Sequence, residues 1–220
     1  MNFDYAFAWS ILPDLLPGLW VTFKVVLCGF LCALALGIAL ALLQRIPFTP
    51  LTKLCHAWLA FFRNTPLLVQ LYFLFFALPL TGITFPAIFT GVLGLGLYYS
   101  AYIADALRGA INKVDRGQWE AAQALDLSHY HIWRDIILPQ ALKPLLPVLG
   151  NYLIGMFKET PLLAIITIPE LFQAARQVAG LTYRYTEPYT LMALLFLGIS
   201  LPVSLLFKFL ERRGSHDNAQ

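Results

Sequence analysis

The sequence predicts an all-α membrane protein with five transmembrane helices, its N-terminus outside and its C-terminus inside. Three observations predict it. Hydrophobic residues make up 59% of the chain and charged residues only 12%, about half the charged share of a soluble domain. Five stretches offer the roughly 20 mostly apolar residues that a membrane span needs. Lys and Arg fall almost entirely on alternate connections between those stretches. With a mean hydropathy of +0.70, polar groups are too few to cover the apolar surface, so lipid must cover it. The length of 220 residues fits a single membrane domain, 1–220.

The first span is expected from about Leu19 to Leu43. The residues before it, MNFDYAFAWS, lack a basic n-region, and Asp4 and Asp14 are acidic. The first span is therefore expected to act as an uncleaved insertion signal. The second runs from about Ala57 to Leu80, interrupted by Arg63, Thr65 and Pro66. The third covers about Phe85 to Leu107, where Gly91, Gly94 and Gly96 permit close helix packing. The fourth covers about Leu145 to Ile168 and contains Lys158 and Glu159; the fifth covers about Tyr189 to Leu210. Because polar residues interrupt the second and fourth, four spans is the alternative count.

Charge placement favours five. Short cytoplasmic loops carry an excess of Lys and Arg. Arg45, Lys53 and Arg63 follow the first span. Arg108, Lys113, Arg116, Arg134 and Lys143 follow the third, and Lys208, Arg212 and Arg213 close the fifth. The opposite side holds only Arg176 and Arg184, while Lys24 and Lys158 lie within spans. Such a bias requires an odd number of crossings. The 169–188 loop reads as a short external helix and a connection, and the tail, about 212–220, is polar. No internal repeat is evident.

The connection at about 112–143 is long and amphipathic, so it is expected to be structured. Asp115 can cap a helix, with Gln118 answering it as in a capping box. Trp119, Ala122 and Leu125 or Asp126 then fall on neighbouring turns, and Ala121, Ala122 and Ala124 leave a thin surface. Ser128 can cap a second helix, HYHIWRDII, expected to stop before Pro139. Read from residues alone, the pair serves equally as a protein-docking element or as an amphipathic hairpin on the lipid surface.

Glu120 to Ala141, EAAQALDLSHYHIWRDIILPQA, resembles the EAA loop of bacterial ABC importer permeases. Ile136, Leu138 and Pro139 match the later part of that motif, and Asp126 stands at its usual glycine position. Asp tolerates the left-handed turn such a glycine allows better than most residues. RNTPLLVQLYFLFFALP (Arg63 to Pro79), YYSAYIADALRGAI (Tyr98 to Ile111) and KETPLLAIITIPEL (Lys158 to Leu171) are similar to the polar amino acid (histidine/glutamine-type) branch of the family. The resemblance implies the type I importer fold: a five-span core, two permeases side by side, the same or homologous, two ATPases beneath and a solute-binding protein outside. It implies a multi-pass location in the bacterial inner membrane. It also implies that Gln118, Glu120, Ala121, Ala122, Leu125 and Asp126 couple to the ATPase.

The chain has no GxxxxGK[ST] loop, so ATP belongs on the partner subunit, and no cofactor and no catalytic residue are expected here. Ionisable groups inside a span usually face a cavity or a partner. Lys158, Glu159 and Thr160 could meet the charged ends of a zwitterion; Thr65, Gln70 and Asp105 are further lining candidates. The alternative for each is an interhelical salt bridge or hydrogen bond. Pro161 frees the carbonyl of Phe157, and Thr160 could satisfy it. Arg63 is expected to snorkel to headgroups, and Trp9, Trp20 and Trp58 to anchor at interfaces.

Other functions find little footing. The charges form no basic face for nucleic acid. His129 and His131 lack a third metal ligand, and Cys28, Cys32 and Cys55 form neither a disulfide framework nor a CxxC pair. No HExxH or GxSxG suggests an enzyme. Tyr183 to Arg213 and KETPLL are similar to permeases of ectoine and hydroxyectoine importers, so compatible-solute import is one alternative. A proton-coupled secondary transporter relaying through Lys158 and Glu159 is another.

Overall fold

In this computed structural model residues 3–216 are described, with side chains to Phe209. The basic pair Arg212 and Arg213 and the polar tail fall outside the described side chains.

The first helix, α1, spans Tyr5–Leu43 and starts well before the expected Leu19. Two features explain the extension. The Asp4 carboxylate accepts the Phe7 N–H at 3.0 Å and so caps the helix. Ile11 and Leu15 then find a buried place against Leu171 and Ala175. The Phe7 N–H, and then the Arg184 guanidinium, hold the Asp4 carboxyl below the usual carboxylate range. Arg184 bonds Asp4 at 3.2 Å and Glu187 at 2.6 Å, tying the start of the first helix to the start of the last.

The second expected span is broken. Helix α2 (Thr49–Asn64) and α3 (Leu67–Tyr72) meet at Thr65 and Pro66. A π turn, Phe73–Ala77, and a 3-10 turn, Leu78–Thr81, extend α3, and the two arms differ in direction by 104°. Helix α4 (Ala87–Asn112) runs through the middle of the molecule and packs most extensively on α1. Its glycines are the reason. A Cβ at Gly94 would lie 2.6 Å from Leu71, at Gly96 2.6 Å from Cys32, and at Gly91 2.5 Å from Ile168. Only hydrogen there lets three neighbours close on one helix.

Helix α5 (Arg116–Ala124) is followed by a single turn, α6 (His129–His131), and then α7 (Leu138–Glu159). The expected stop before Pro139 does not occur. A π turn, Ile132–Ile137, carries α6 into α7 without a break. Its wider register absorbs the missing proline N–H. A 3-10 turn, Thr160–Ile166, ends α7; α8 (Leu171–Thr182) is the short helix expected in the 169–188 connection, and α9 (Thr186–His216) follows. Among the described residues three helices are long and apolar enough to cross a membrane, or up to five spans by length and composition when each of two bent pairs counts as one.

The core lies between α1, α4 and α7, around Leu95, Tyr99, Ile103, Met156 and Leu163. Trp9 and Trp20 are exposed on α1. Trp58 is not one of them: it packs on Phe62 and donates to Ser100 Oγ at 3.4 Å, inside a cluster with Ala101 and Ala104.

Candidate functional site

The polar residues of the spans gather along α4 and α7. Tyr99 donates to Glu159 Oε2 at 3.0 Å. Gly155, one turn earlier on α7, makes room for this: a Cβ there would sit 2.9 Å from the Tyr99 hydroxyl. Tyr98 and Tyr102 share a hydrogen bond of 3.1 Å, and the Tyr99 and Tyr102 rings both lie about 6 Å from that of Tyr152. The tyrosines lead to an ion pair. Asp105 accepts from Arg63 at 3.0 Å and from Arg108 at 2.8 Å, and Arg63 lies over the Tyr102 ring at 5.8 Å. A groove of about 470 Å³ opens there, lined by His56, Arg63, Asn64, Tyr102, Asp105 and Arg108.

The predicted residues therefore divide. Glu159 and Asp105 stand at the two ends of one polar–aromatic ladder. Asp105 is already paired with Arg63, so the Arg63 guanidinium, expected at headgroups, has a carboxylate partner on α4. Lys158 is exposed and, among the described residues, has no carboxylate within ion-pair distance. Thr160 is fully buried and donates to the Phe157 carbonyl at 2.8 Å, the group freed by Pro161. Thr65 and Gln70 also turn inward. Thr65 donates to the Phe61 carbonyl. Gln70 is 6% exposed, and its Nε2 lies 3.2 Å from the Phe62 carbonyl and 3.1 Å from the Thr65 carbonyl. Both hold the α2–α3 break together instead of lining an open path. The tyrosines were not among the expected site residues. Their signal was present, since Tyr98, Tyr99 and Tyr102 recur at one-turn spacing inside a span, where phenol hydroxyls need partners.

The connecting segment forms a separate small core of Ile111, Ala122, Ile132, Ile137 and Ala141. Asp115 caps α5 through the Gly117 N–H at 2.6 Å. The capping box does not close, because Gln118 Oε1 accepts from Gln140 at 3.0 Å. Ala122 is 2% exposed and anchors α5 to the bundle, so it is not available to a partner. Gln118, Glu120, Ala121, Leu125 and Asp126 face outward, with Leu125 73% exposed. Asp126 adopts φ +54°, the left-handed turn expected at that position. Held by Ala122, α5 leaves its other faces uncovered, the apolar Leu125 at its end included.

Residues 33–216 match the family described as binding-protein-dependent transport system inner membrane component. A probable amino-acid ABC transporter permease, y4tG, of Sinorhizobium fredii is 40% identical over 96% of this chain and 91% of its own length. The arginine transport system permease ArtQ of Bacillus subtilis is 33% identical over 97% and 98%. Among solved structures, an amino acid ABC transporter with histidines superposes with a TM-score of 0.90 at 34% identity, covering 97% of this chain and all of that one. The MetNI methionine transporter, at 20% identity and a TM-score of 0.75, shares the fold. These relatives lend no specific support to the ectoine alternative. On the family match and the full-length relatives together, the chain belongs to the inner-membrane components of binding-protein-dependent transport systems.

Proposed function

We propose that the chain is the permease of an ATP-driven importer for polar amino acids, with the ladder from Glu159 to Asp105 forming part of the solute's route. One observation carries the reading: α5 is held by Ala122 and leaves Glu120, Ala121 and Leu125 uncovered, beneath a bundle whose interior polar groups lie along two adjacent helices. An ATPase seated on α5 would move it as a body and switch the bundle between inward-open and outward-open states. The permease itself performs no chemistry, and ATP stays on the partner. A second permease, the same or homologous, completes the route; a solute-binding protein delivers from outside, where the N-terminus lies, and lipid covers the remaining apolar faces.

An amino acid presents an ammonium and a carboxylate. Glu159 and the tyrosine faces suit the first, and the exposed Lys158 suits the second. The test is uptake of radiolabelled arginine and glutamine into proteoliposomes holding the whole complex. Deleting residues 120–125 should abolish uptake and ATPase association together. Proton-driven uptake that survives the deletion would establish the secondary-transporter alternative instead. Glu159→Gln should lower uptake by about 10-fold or more, the worth of one charge-assisted hydrogen bond, with complex yield unchanged.

A further inference from the structure

The coupling core draws on the end of α4, the connecting segment and the start of α7; among the described residues it contains nothing from α1. Yet α1 is the helix packed most extensively on α4. The Arg45 side chain bridges the two. The Arg45 guanidinium, just past the end of α1, lies 4.6 Å from the centre of the Trp133 ring. Trp133 is held edge-on by Trp119 at 5.1 Å and donates through Nε1 to His129 at 3.1 Å. Arg45 does not sit in a packed interface. It borders an open cavity of about 280 Å³, with Ile111, Asn112, Val114, Arg116 and Trp119 on the other walls. Arg116 is already bonded to Glu120 at 3.1 Å, and among the described residues no carboxylate lies within ion-pair distance of Arg45. The preceding residue, Gln44, has both side-chain polar atoms buried without a hydrogen-bond partner. An amide left unpaired in one arrangement favours another that pairs it.

We propose that Arg45 is a positioning residue for transport: a clasp from α1 onto Trp133 that carries movement of α5 to the α1–α4 pair. The proposal rests on the importer reading. A cation over an aromatic face keeps its attraction within about 6 Å of the ring centre. Such a link survives small sliding motions and still transmits larger ones, whereas interlocked aliphatic side chains resist both. The open cavity gives the joint room to move, and Gln44 supplies a reason for it to have a second arrangement.

The experiment measures amino acid taken up per ATP hydrolysed by the complete complex in proteoliposomes, with radiolabelled arginine or glutamine and the cognate binding protein. Arg45→Ala should leave assembly and hydrolysis close to wild type while uptake per ATP falls about fivefold, as loss of one cation–aromatic contact implies. Arg45→Lys should restore most of that ratio. Trp133→Leu should reproduce the Arg45→Ala defect, and the double variant should be no worse than either alone. An unchanged ratio in Arg45→Ala overturns the clasp, as do defects that multiply in the double variant or uptake and hydrolysis that fall in proportion. If Trp133→Leu fails to fold, the Arg45→Ala and Arg45→Lys pair decides alone. A wild-type complex without ATP-driven uptake removes the importer reading, and the clasp with it, before any variant is compared.

Discussion

Two breaks in the bundle are written in nearly the same seven residues, Phe62 to Leu68 (FRNTPLL) and Phe157 to Leu163 (FKETPLL). Each proline withholds an N–H from the phenylalanine four residues back. Each orphaned carbonyl is answered, but differently. At the first break Thr65 is extended, φ −107° and ψ 132°, and the chain turns through 104°. Gln70 then reaches back to the Phe62 carbonyl. At the second break Thr160 stays helical, φ −57° and ψ −28°, and both its backbone N–H and its hydroxyl donate to the Phe157 carbonyl while the chain continues as a 3-10 turn. The residue before a proline is biased toward extended backbone, so Thr65 follows local preference and Thr160 defies it. Tertiary packing decides: Thr160 is fully buried beside Phe157 and Leu163 of the main core. The position matching Gln70 is Ile165, which has no donor to offer.

The comparison is broken most severely at Gln70. Gln70→Ile gives the first break the composition of the second. It leaves the Phe62 and Thr65 carbonyls without their donor in an apolar setting and should cost about 1–3 kcal/mol. Gln70→Glu should fail nearly as badly, since an ionised carboxylate only accepts. Thermal unfolding of the purified complex in detergent measures both, and a stable Gln70→Glu variant would show that the amide N–H is not what holds the elbow.

Next in size is Thr160. Thr160→Val removes the hydroxyl with little change of shape and should cost about 1 kcal/mol by the same measurement, with Thr160→Ser restoring most of it. Thr65→Val should cost less, below about 0.5 kcal/mol, because Thr65 is only partly buried whereas Thr160 is fully buried; in both, the backbone N–H bonds the same carbonyl as the hydroxyl. Equal losses at the two threonines would mean that the two breaks are sealed alike.

Much of this architecture is legible in sequence because hydropathy and Lys/Arg placement respond to the membrane as a whole. Thr160 closing on Phe157 was legible too, since a proline names the carbonyl it orphans. What was not legible depends on which neighbour arrives. Asp105 and Arg63 lie 42 positions apart, and no local pattern reveals that they meet. Ala122 reads as docking surface until Ile111 and Ile137 are seen to cover it. The paired breaks escaped notice because the shared stretch is seven residues, far below the length of a structural repeat. The unequal bends could not be read at all, since the Thr-Pro pair is the same at both breaks and the fuller burial of Thr160 separates them.

The smallest expected effect is also the one that separates cause from consequence. If the glutamine creates the elbow, Ile165→Gln should draw the second break into the shape of the first. If the elbow is set by the extended pre-proline residue and the glutamine only seals it, the substitution should do little. The geometry favours the second outcome. Gln70 reaches a carbonyl eight residues back only because the chain has already folded over at Thr65. In a continuing helix, residues five apart point to different faces, and the Phe157 carbonyl already has the Thr160 hydroxyl. Ile165 is partly exposed, so a polar amide there is tolerated. Ile165→Gln should therefore change stability by at most a few tenths of a kcal/mol. Spin labels on α7 and α8 should report an unchanged distance. A shortened distance would reverse the order of causes and make the glutamine, not the packing around Thr160, the residue that chooses between a bend and a turn.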